Sequence, residues 1–391
     1  MSISKRLDRI PESGIRRLFE LAGRYKDVIS LGIGEPDFDT PQHIKEYAKE
    51  GLDKGLTHYT PNNGLKMLRD AIAIKLKREN RIEADPDKNI IVTIGGNEAF
   101  LLILSSFLNP GEGVLLPSPY FMTYGAAVTL VGGRTVEVGA FLENGFRVVA
   151  EDLRKAVTKK TRCIMINSPN NPTGAVLNRK DMEEIAEVAV ENNLKVISDE
   201  VYEKFVYDGA EHVSMASLNG MSDRGITVNS FSKTYAMTGW RIGYAVADEA
   251  TVAKMIKFQM FLATCPVAFG QYAVAKALQD PRSKKATDKM RFEYEARRNY
   301  IYGRLKELKG FTVAKPEGAF YIFPRIDVND DRAFSERLLV EKKVVAVPGS
   351  AFGSYGAHHL RLCYATSMKN LEEAMDRIER FMVDRPQKPI R

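Results

Sequence analysis

The segment Ser230–Arg241, SFSKTYAMTGWR, carries the strongest candidate for a reactive amine, Lys233, close to Ser230, Ser232 and Arg241. A lysine whose surroundings depress its pKa becomes a nucleophile and a base. Two hydroxyls and a planar guanidinium suit a phosphate dianion. An amine beside a phosphate site suggests a Schiff base to pyridoxal 5′-phosphate (PLP). Most loop lysines are solvated surface charges, so Lys233 alone decides nothing.

The elements that must position this loop are legible as apolar runs. Ile226–Val228 precedes it and Ile242–Val246 follows it, and both read as strands buried on two faces. From residue 90 the pattern alternates. Strands are predicted at 90–94, 113–116, 134–138, 162–167, 194–198, 225–230 and 241–247, with helices at 97–108, 121–131, 151–157 and 179–192. This predicts an α/β fold with a mostly parallel central sheet covered by helices. Ligands then collect beyond the carboxyl ends of the strands. Upstream, helices are predicted at 15–25, 41–55 and 64–80, around an irregular Gly- and Pro-rich loop at 28–41. Past residue 250 the alternation stops. A long charged helix at 281–308, strands near 319–323, 343–347 and 359–364, and a helix at 368–383 predict a smaller α+β domain.

Strand-end residues supply the other candidates. Gly95-Gly96-Asn97 opens a helix, where amides and dipole attract anions. It is neither a dinucleotide fingerprint nor a nucleotide P-loop, and a tight turn would read the same. Phe121, after Ser118-Pro119-Tyr120, could stack on a flat ring or simply pack in the core. In Ser168–Gly174, Pro169 and Pro172 flank Asn170 and Asn171, which forces a specific loop, with a cis bond before Pro172 as one option. Asn171 could then donate to a ring oxygen. Asp199, in Asp199-Glu200-Val201-Tyr202, ends a buried strand. An acid there is costly unless paired, and a protonated pyridine nitrogen would pair it; helix capping is the plainer reading. Tyr59 sits in a turn and reads as a surface residue. Arg361 lies between Leu360 and Leu362 in a strand, hence on the opposite face, as a surface arginine or a carboxylate receptor.

Composition narrows the class. The chain has 391 residues, more than one core usually holds, so two domains are expected. Its 57 basic and 50 acidic residues give a net charge of +7. The charges are scattered and no nucleic-acid motif appears, so no nucleic-acid partner is expected. Cys163, Cys265 and Cys363 lie in apolar contexts, as buried free thiols of a reducing compartment would. The five histidines lack metal-ligand spacing, and His358-His359, as neighbours on a strand, would face opposite ways. A polar beginning and the lack of a spanning apolar run point away from a membrane and toward the cytoplasm.

Taken in order, Gly34-Glu35-Pro36, Tyr59, Gly95-Gly96-Asn97, Asn171-Pro172-Thr173-Gly174, Asp199-Glu200-Val201-Tyr202, Ser230-Phe231-Ser232-Lys233, Met237–Gly243 and Arg361 resemble the class I aminotransferases. More narrowly they resemble the prokaryotic subgroup of aspartate and aromatic aminotransferases. The resemblance implies PLP-dependent fold type I and a homodimer with active sites at the subunit interface. It implies three parts: 1–44 joining the small domain, 45–285 as the large PLP-binding domain, and 286–391 as the small C-terminal domain.

The resemblance also implies roles. Lys233 would carry PLP and shuttle the proton between substrate Cα and cofactor C4′. Asp199 would keep the pyridine nitrogen protonated. Tyr202 and Asn171 would bond the ring oxygen, and Phe121 would stack on the ring. Gly95, Gly96, Asn97, Ser230, Ser232 and Arg241 would cradle the phosphate, with Tyr59 reaching in from the partner. Arg361, helped by Gly34 and Asn171, would bind the substrate α-carboxylate. No metal is implied. Substrates would be an L-amino acid and a 2-oxo acid such as 2-oxoglutarate. A lyase of the same fold keeps the lysine and phosphate site; a regulator built on this fold would need an added DNA-binding domain, for which the N-terminal segment is too short. In the resembling aspartate enzymes a lysine often follows the Gly-Gly pair and recognises a distal carboxylate. Here that position is Asn97, so an aromatic donor is expected over aspartate, unless another basic residue such as Arg16 takes the lysine's place.

Overall fold

The computed structural model describes residues 7–10 and 14–384. Helix α1 (Gly14–Ala22) leads to the short strand β1 (Ile29–Ser30). Helices α2 (Gln42–Asp53) and α3 (Lys66–Lys75) follow, and a π-helical turn, Leu76–Asn80, extends α3. Alternation then begins: β2 (Ile90–Thr93), α4 (Gly95–Phe107), β3 (Gly113–Ser118), α5 (Thr123–Leu130), β4 (Arg134–Gly139), α6 (Ala150–Ala156), β5 (Thr161–Asn167), α7 (Arg179–Glu191), β6 (Lys195–Asp199), β7 (Gly225–Ser230), the single-turn α8 (Phe231–Thr234) and β8 (Gly243–Val246).

Strands β2 to β8 form one sheet in the order β2-β8-β7-β6-β5-β3-β4. Only β8 runs against the rest, antiparallel to both β2 and β7. Every residue of β2, β7 and β8 is buried, because helices cover both faces. That is why these strands read as continuous apolar runs rather than as alternation. Ile197, Ile226 and Val228 pack with Ala99, Ile103 and Met255 in one core cluster, while Ile164, Ile166 and Val196 pack with Ile185 and Ala189 in another. The chain is therefore α/β with a mostly parallel, helix-covered sheet.

Helices α9 (Glu249–Leu262), α10 (Ala268–Gln279), α11 (Pro281–Glu307), α12 (Asp331–Lys342) and α13 (Met368–Val383) complete the helical set. The sequence predicts α11 and α13 but not α9, α10 or α12. Eight residues of α10 are buried, so no polar stripe marks its period. The remaining strands are β9 (Phe311–Thr312), β10 (Tyr321–Ile322), β11 (Arg325–Ile326), β12 (Val344–Val345), β13 (Val347–Pro348) and β14 (Leu360–Cys363). The predicted strand 343–347 is two strands: β12 pairs in parallel with β1, and β13 pairs with β14. β14 lies between β10 and β13, antiparallel to both.

Three smaller expectations need correction. Among the described residues the cis bonds precede Pro119 and Pro169, and the bond before Pro172 is trans. His358 has a φ of 64° just ahead of β14, so the two histidines are not successive strand residues. Cys163 and Cys363 are buried free thiols, but Cys265 is only half-buried. Among the described residues no helix is long and apolar enough to cross a membrane.

Candidate active site

β5, β6 and β7 are parallel neighbours, so Asn167, Asp199 and Ser230 emerge at the same edge of the sheet. They open into a cleft of about 360 Å³. The cleft gathers Gly34, Gly96, Asn97, Phe121, Asn171, Asp199, Tyr202, Ser230, Ser232, Lys233, Arg241 and Arg361. Gly95 and Tyr59 are not on its wall. Gly95 lies beneath Arg241: its φ is 70°, and a Cβ there would come within 2.5 Å of Arg241 Nη2. Only glycine permits both that turn and that approach. Tyr59 is 87% exposed, as a surface turn residue would be.

Lys233 follows β7 on the single turn α8, which Ser230 caps by accepting from Ser232 N. Its Nζ donates to the Gly34 carbonyl at 2.5 Å, which brings the predicted 28–41 loop across the cleft. Burial pushes its pKa down to about 8, only partly offset by the charges of Cys363 and Glu35. An amine so shifted is far more often neutral at physiological pH than an ordinary lysine.

Asp199 is buried with no ion-pair partner among the described residues. Its Oδ1 accepts from Val201 N at 3.1 Å, and its Oδ2 accepts from the Tyr124 hydroxyl at 2.5 Å. Burial pushes its carboxyl up to about 6, against the pull of those two donors. No helix begins at Asp199, so the capping reading fails; the bond from Val201 N only closes a turn. That turn does not account for a buried acid that lacks a cation.

Arg361 is not a surface residue; it is 3% exposed. All four residues of β14 are buried, so its strand has no solvent face. The guanidinium lies between the rings of Tyr321 and Phe352, 4.8 Å from each centroid. Nη1 donates to Asn171 Oδ1 at 3.0 Å, Nη2 donates to the Gly32 carbonyl, and Nε has no protein partner among the described residues. A rigid, partly unsatisfied fork of this kind suits a carboxylate.

The same cleft holds an anion cradle. The first turn of α4 presents amides at Gly96 and Asn97, whose side chain is exposed. Ser230 and Ser232 hydroxyls are 2.8 Å apart, and Arg241 is steadied by donating to the Thr238 carbonyl at 2.9 Å. Helix amides, two hydroxyls and a guanidinium match a phosphate. A neutral-prone amine, an acid in need of a cation and this cradle together fit PLP.

Sequence reasoning missed several participants. Tyr124 holds Asp199, and Tyr321 shares a 2.8 Å hydrogen bond with the Tyr202 hydroxyl. Asn167 accepts from Asn171 N at 2.7 Å and donates to the Asp199 carbonyl at 3.0 Å, tying two motifs together. Tyr124 had one faint signal, a polar tip one turn after Phe121. The link from Tyr321 to Tyr202 spans 119 residues and leaves no local mark. Behind Asp199, Glu200, Glu203 and His212 form a metal-like grouping. Lys75 pairs with Glu203 within it, and Asn80 and Ser214 add bonds, so protein groups supply the compensation. The side chain of Arg16 lies outside the described residues.

The family model for aminotransferase class I and II matches residues 26–378. The chain is 59% identical over 384 residues to an aspartate aminotransferase of Pyrococcus abyssi, covering 98% of each. It is 56% identical over 387 residues to aromatic-amino-acid aminotransferase 2 of Thermococcus litoralis, covering 98% of this chain and 99% of the relative. The crystal structure of an aromatic aminotransferase from Pyrococcus horikoshii superposes with a TM-score of 0.90 at 58% identity, covering 94% of this chain and 99% of the other.

Proposed function

The chain belongs to the class I and II aminotransferase family, and from that premise we propose that it moves the amino group of an aromatic L-amino acid to a 2-oxo acid such as 2-oxoglutarate. It is a PLP-dependent transaminase. The observation that carries the assignment of roles is the convergence of Lys233, Asp199 and Arg361 in one cleft beside the anion cradle.

Bound PLP supplies an electron-accepting ring that makes the substrate Cα–H bond acidic. The amides of Gly96 and Asn97, with Ser230, Ser232 and Arg241, hold the phosphate. Asp199 keeps a proton on the ring nitrogen. Tyr202 and Asn171 Nδ2 hold the ring oxygen, while Phe121 limits tilt of the ring. Arg361 fixes the α-carboxylate and so orients the Cα–H bond toward Lys233. Lys233, neutral for part of the time at working pH, would take the Cα proton as a general base and deliver it to the cofactor's C4′.

The two pKa shifts predict how cofactor capture depends on pH. The folded pKa of Asp199, about 6, lies above its ordinary value, so the fold opposes ionisation and loses stability as pH rises through that range. The folded pKa of Lys233, about 8, lies below its ordinary value of 10.5, so its buried charge costs stability in full below pH 8, and that cost is relieved only as pH rises from 8 toward 10.5. PLP needs the charged acid and the neutral amine, and both gain as pH goes from 5 to 8. The Tm gain on adding PLP to cofactor-free protein should therefore grow from pH 5 to pH 8. A gain that is flat or falls across this range contradicts both assignments.

The donor follows from charge. The basic groups on the described cleft wall are Lys233, Arg241 and Arg361, each already assigned. Asn97 adds none, and Phe19, Ile33 and Phe121 offer apolar wall. Burying a ring there is worth about 1.5–3 kcal/mol. With 2-oxoglutarate as acceptor, kcat/KM for Phe and Tyr should exceed that for Asp by about tenfold or more. A clear advantage for Asp would mean that a further basic residue lines the pocket.

The working form is a homodimer in the cytoplasm. Tyr59 is 87% exposed and Phe261 76% exposed, and Thr60 N donates to Cys265, which brings the two segments together. Such an apolar patch suits a second copy, which would bring Tyr59 to its partner's phosphate site. Free thiols suit a reducing compartment.

A further inference from the structure

The geometry points to Tyr124 as a positioning residue for Asp199: its buried phenol fixes the carboxylate, charged and correctly turned, against the ring nitrogen of bound PLP. The inference rests on the PLP reading above. Tyr124 is 2% exposed, and its hydroxyl donates to Asp199 Oδ2 at 2.5 Å. Val201 N donates to Oδ1, so each oxygen has one protein donor and the carboxylate cannot rotate freely. Each oxygen keeps a lone pair, and Asp199 faces the cleft.

The phenol is itself held. Its ring meets Phe100 edge to face at 4.9 Å and Phe121 at 5.7 Å. One side chain on α5 thus ties the acid that faces the ring nitrogen to the residue that faces the ring. Burial drives the Tyr124 hydroxyl well above its ordinary pKa, so it remains a donor at any working pH. The other titratable groups around Asp199 are Glu200 on its own turn, Lys233 on α8, and the phenols of Tyr202 and Tyr321. Glu200 opposes ionisation of Asp199, and Lys233 favours it less than Tyr124 does. Removing the Tyr124 donor should therefore leave Asp199 neutral over a wider pH range.

The test is equilibrium binding to cofactor-free protein, using PLP and an analogue with carbon in place of the ring nitrogen. Tyr124→Phe keeps the ring and removes the donor. Affinity for PLP should fall roughly tenfold to a hundredfold at neutral pH. Affinity for the analogue should stay within about twofold, because it offers Asp199 no N–H. The acid limb of the PLP-binding profile should move to higher pH. Equal losses for both ligands mean that Tyr124 only packs, and no loss for either means that Asp199 needs no such support; each overturns the proposal. If Tyr124→Phe does not fold, Tyr124→3-fluorotyrosine, a stronger donor, should move the acid limb to lower pH, and an unmoved limb overturns it. Wild-type protein that binds neither ligand, or does not prefer PLP, defeats the PLP reading and this inference with it.

Discussion

Lys233→Ala should lower the rate of amino transfer by on the order of 10⁴-fold. The substitution removes the only lysine amine on the described cleft wall. It leaves Arg361 clamped by Asn171 and the Gly32 carbonyl, so the α-carboxylate still binds. The loss should therefore appear in kcat with little change in KM. A single-turnover half-reaction with a saturating amino donor measures it directly. Lys233→Arg should be as slow as the alanine variant. Its guanidinium keeps the charge but stays protonated, so it cannot act as a base. A residual rate within about tenfold of wild type would mean that another group moves the Cα proton.

The second large effect is expected at Asp199. Asp199→Ala should bind PLP through the phosphate cradle and Lys233 yet lose on the order of 10²–10³-fold in kcat. The ring nitrogen loses the partner that keeps it protonated, and the electron demand of the ring falls. A stability change should accompany this, because the buried Tyr124 hydroxyl loses its acceptor at a cost of about 1–3 kcal/mol. The two effects separate in one experiment: half-reaction rate against Tm. A near-normal rate with a lowered Tm would leave Asp199 a purely structural role.

The strands were legible because burial on both faces left unbroken apolar runs such as IIVT and ITV. Placing candidate residues at strand ends then brought most of them into one cleft, since parallel neighbours end together. Three kinds of feature were not legible. Helix α10 is buried nearly all round, so its period carries no polar stripe. Arg361 is surrounded by Tyr321, Phe352 and Asn171, contacts made across the chain, so a strand pattern alone favoured the surface. Tyr124 and Asp199 are 75 residues apart, and nothing local joins them. Tyr59 is exposed on this chain, and its expected role depends on a second copy, which one chain's pattern cannot position.

The central claim is that Lys233 carries the cofactor, and reduction tests it most directly. Purified holoprotein should be yellow and lose that colour on treatment with borohydride, which fixes PLP to the amine that holds it. Proteolysis and mass spectrometry should then place the phosphopyridoxyl group on the peptide containing Ser230–Arg241, at Lys233. A label on any other lysine, or no label on protein that retains PLP, would contradict the account.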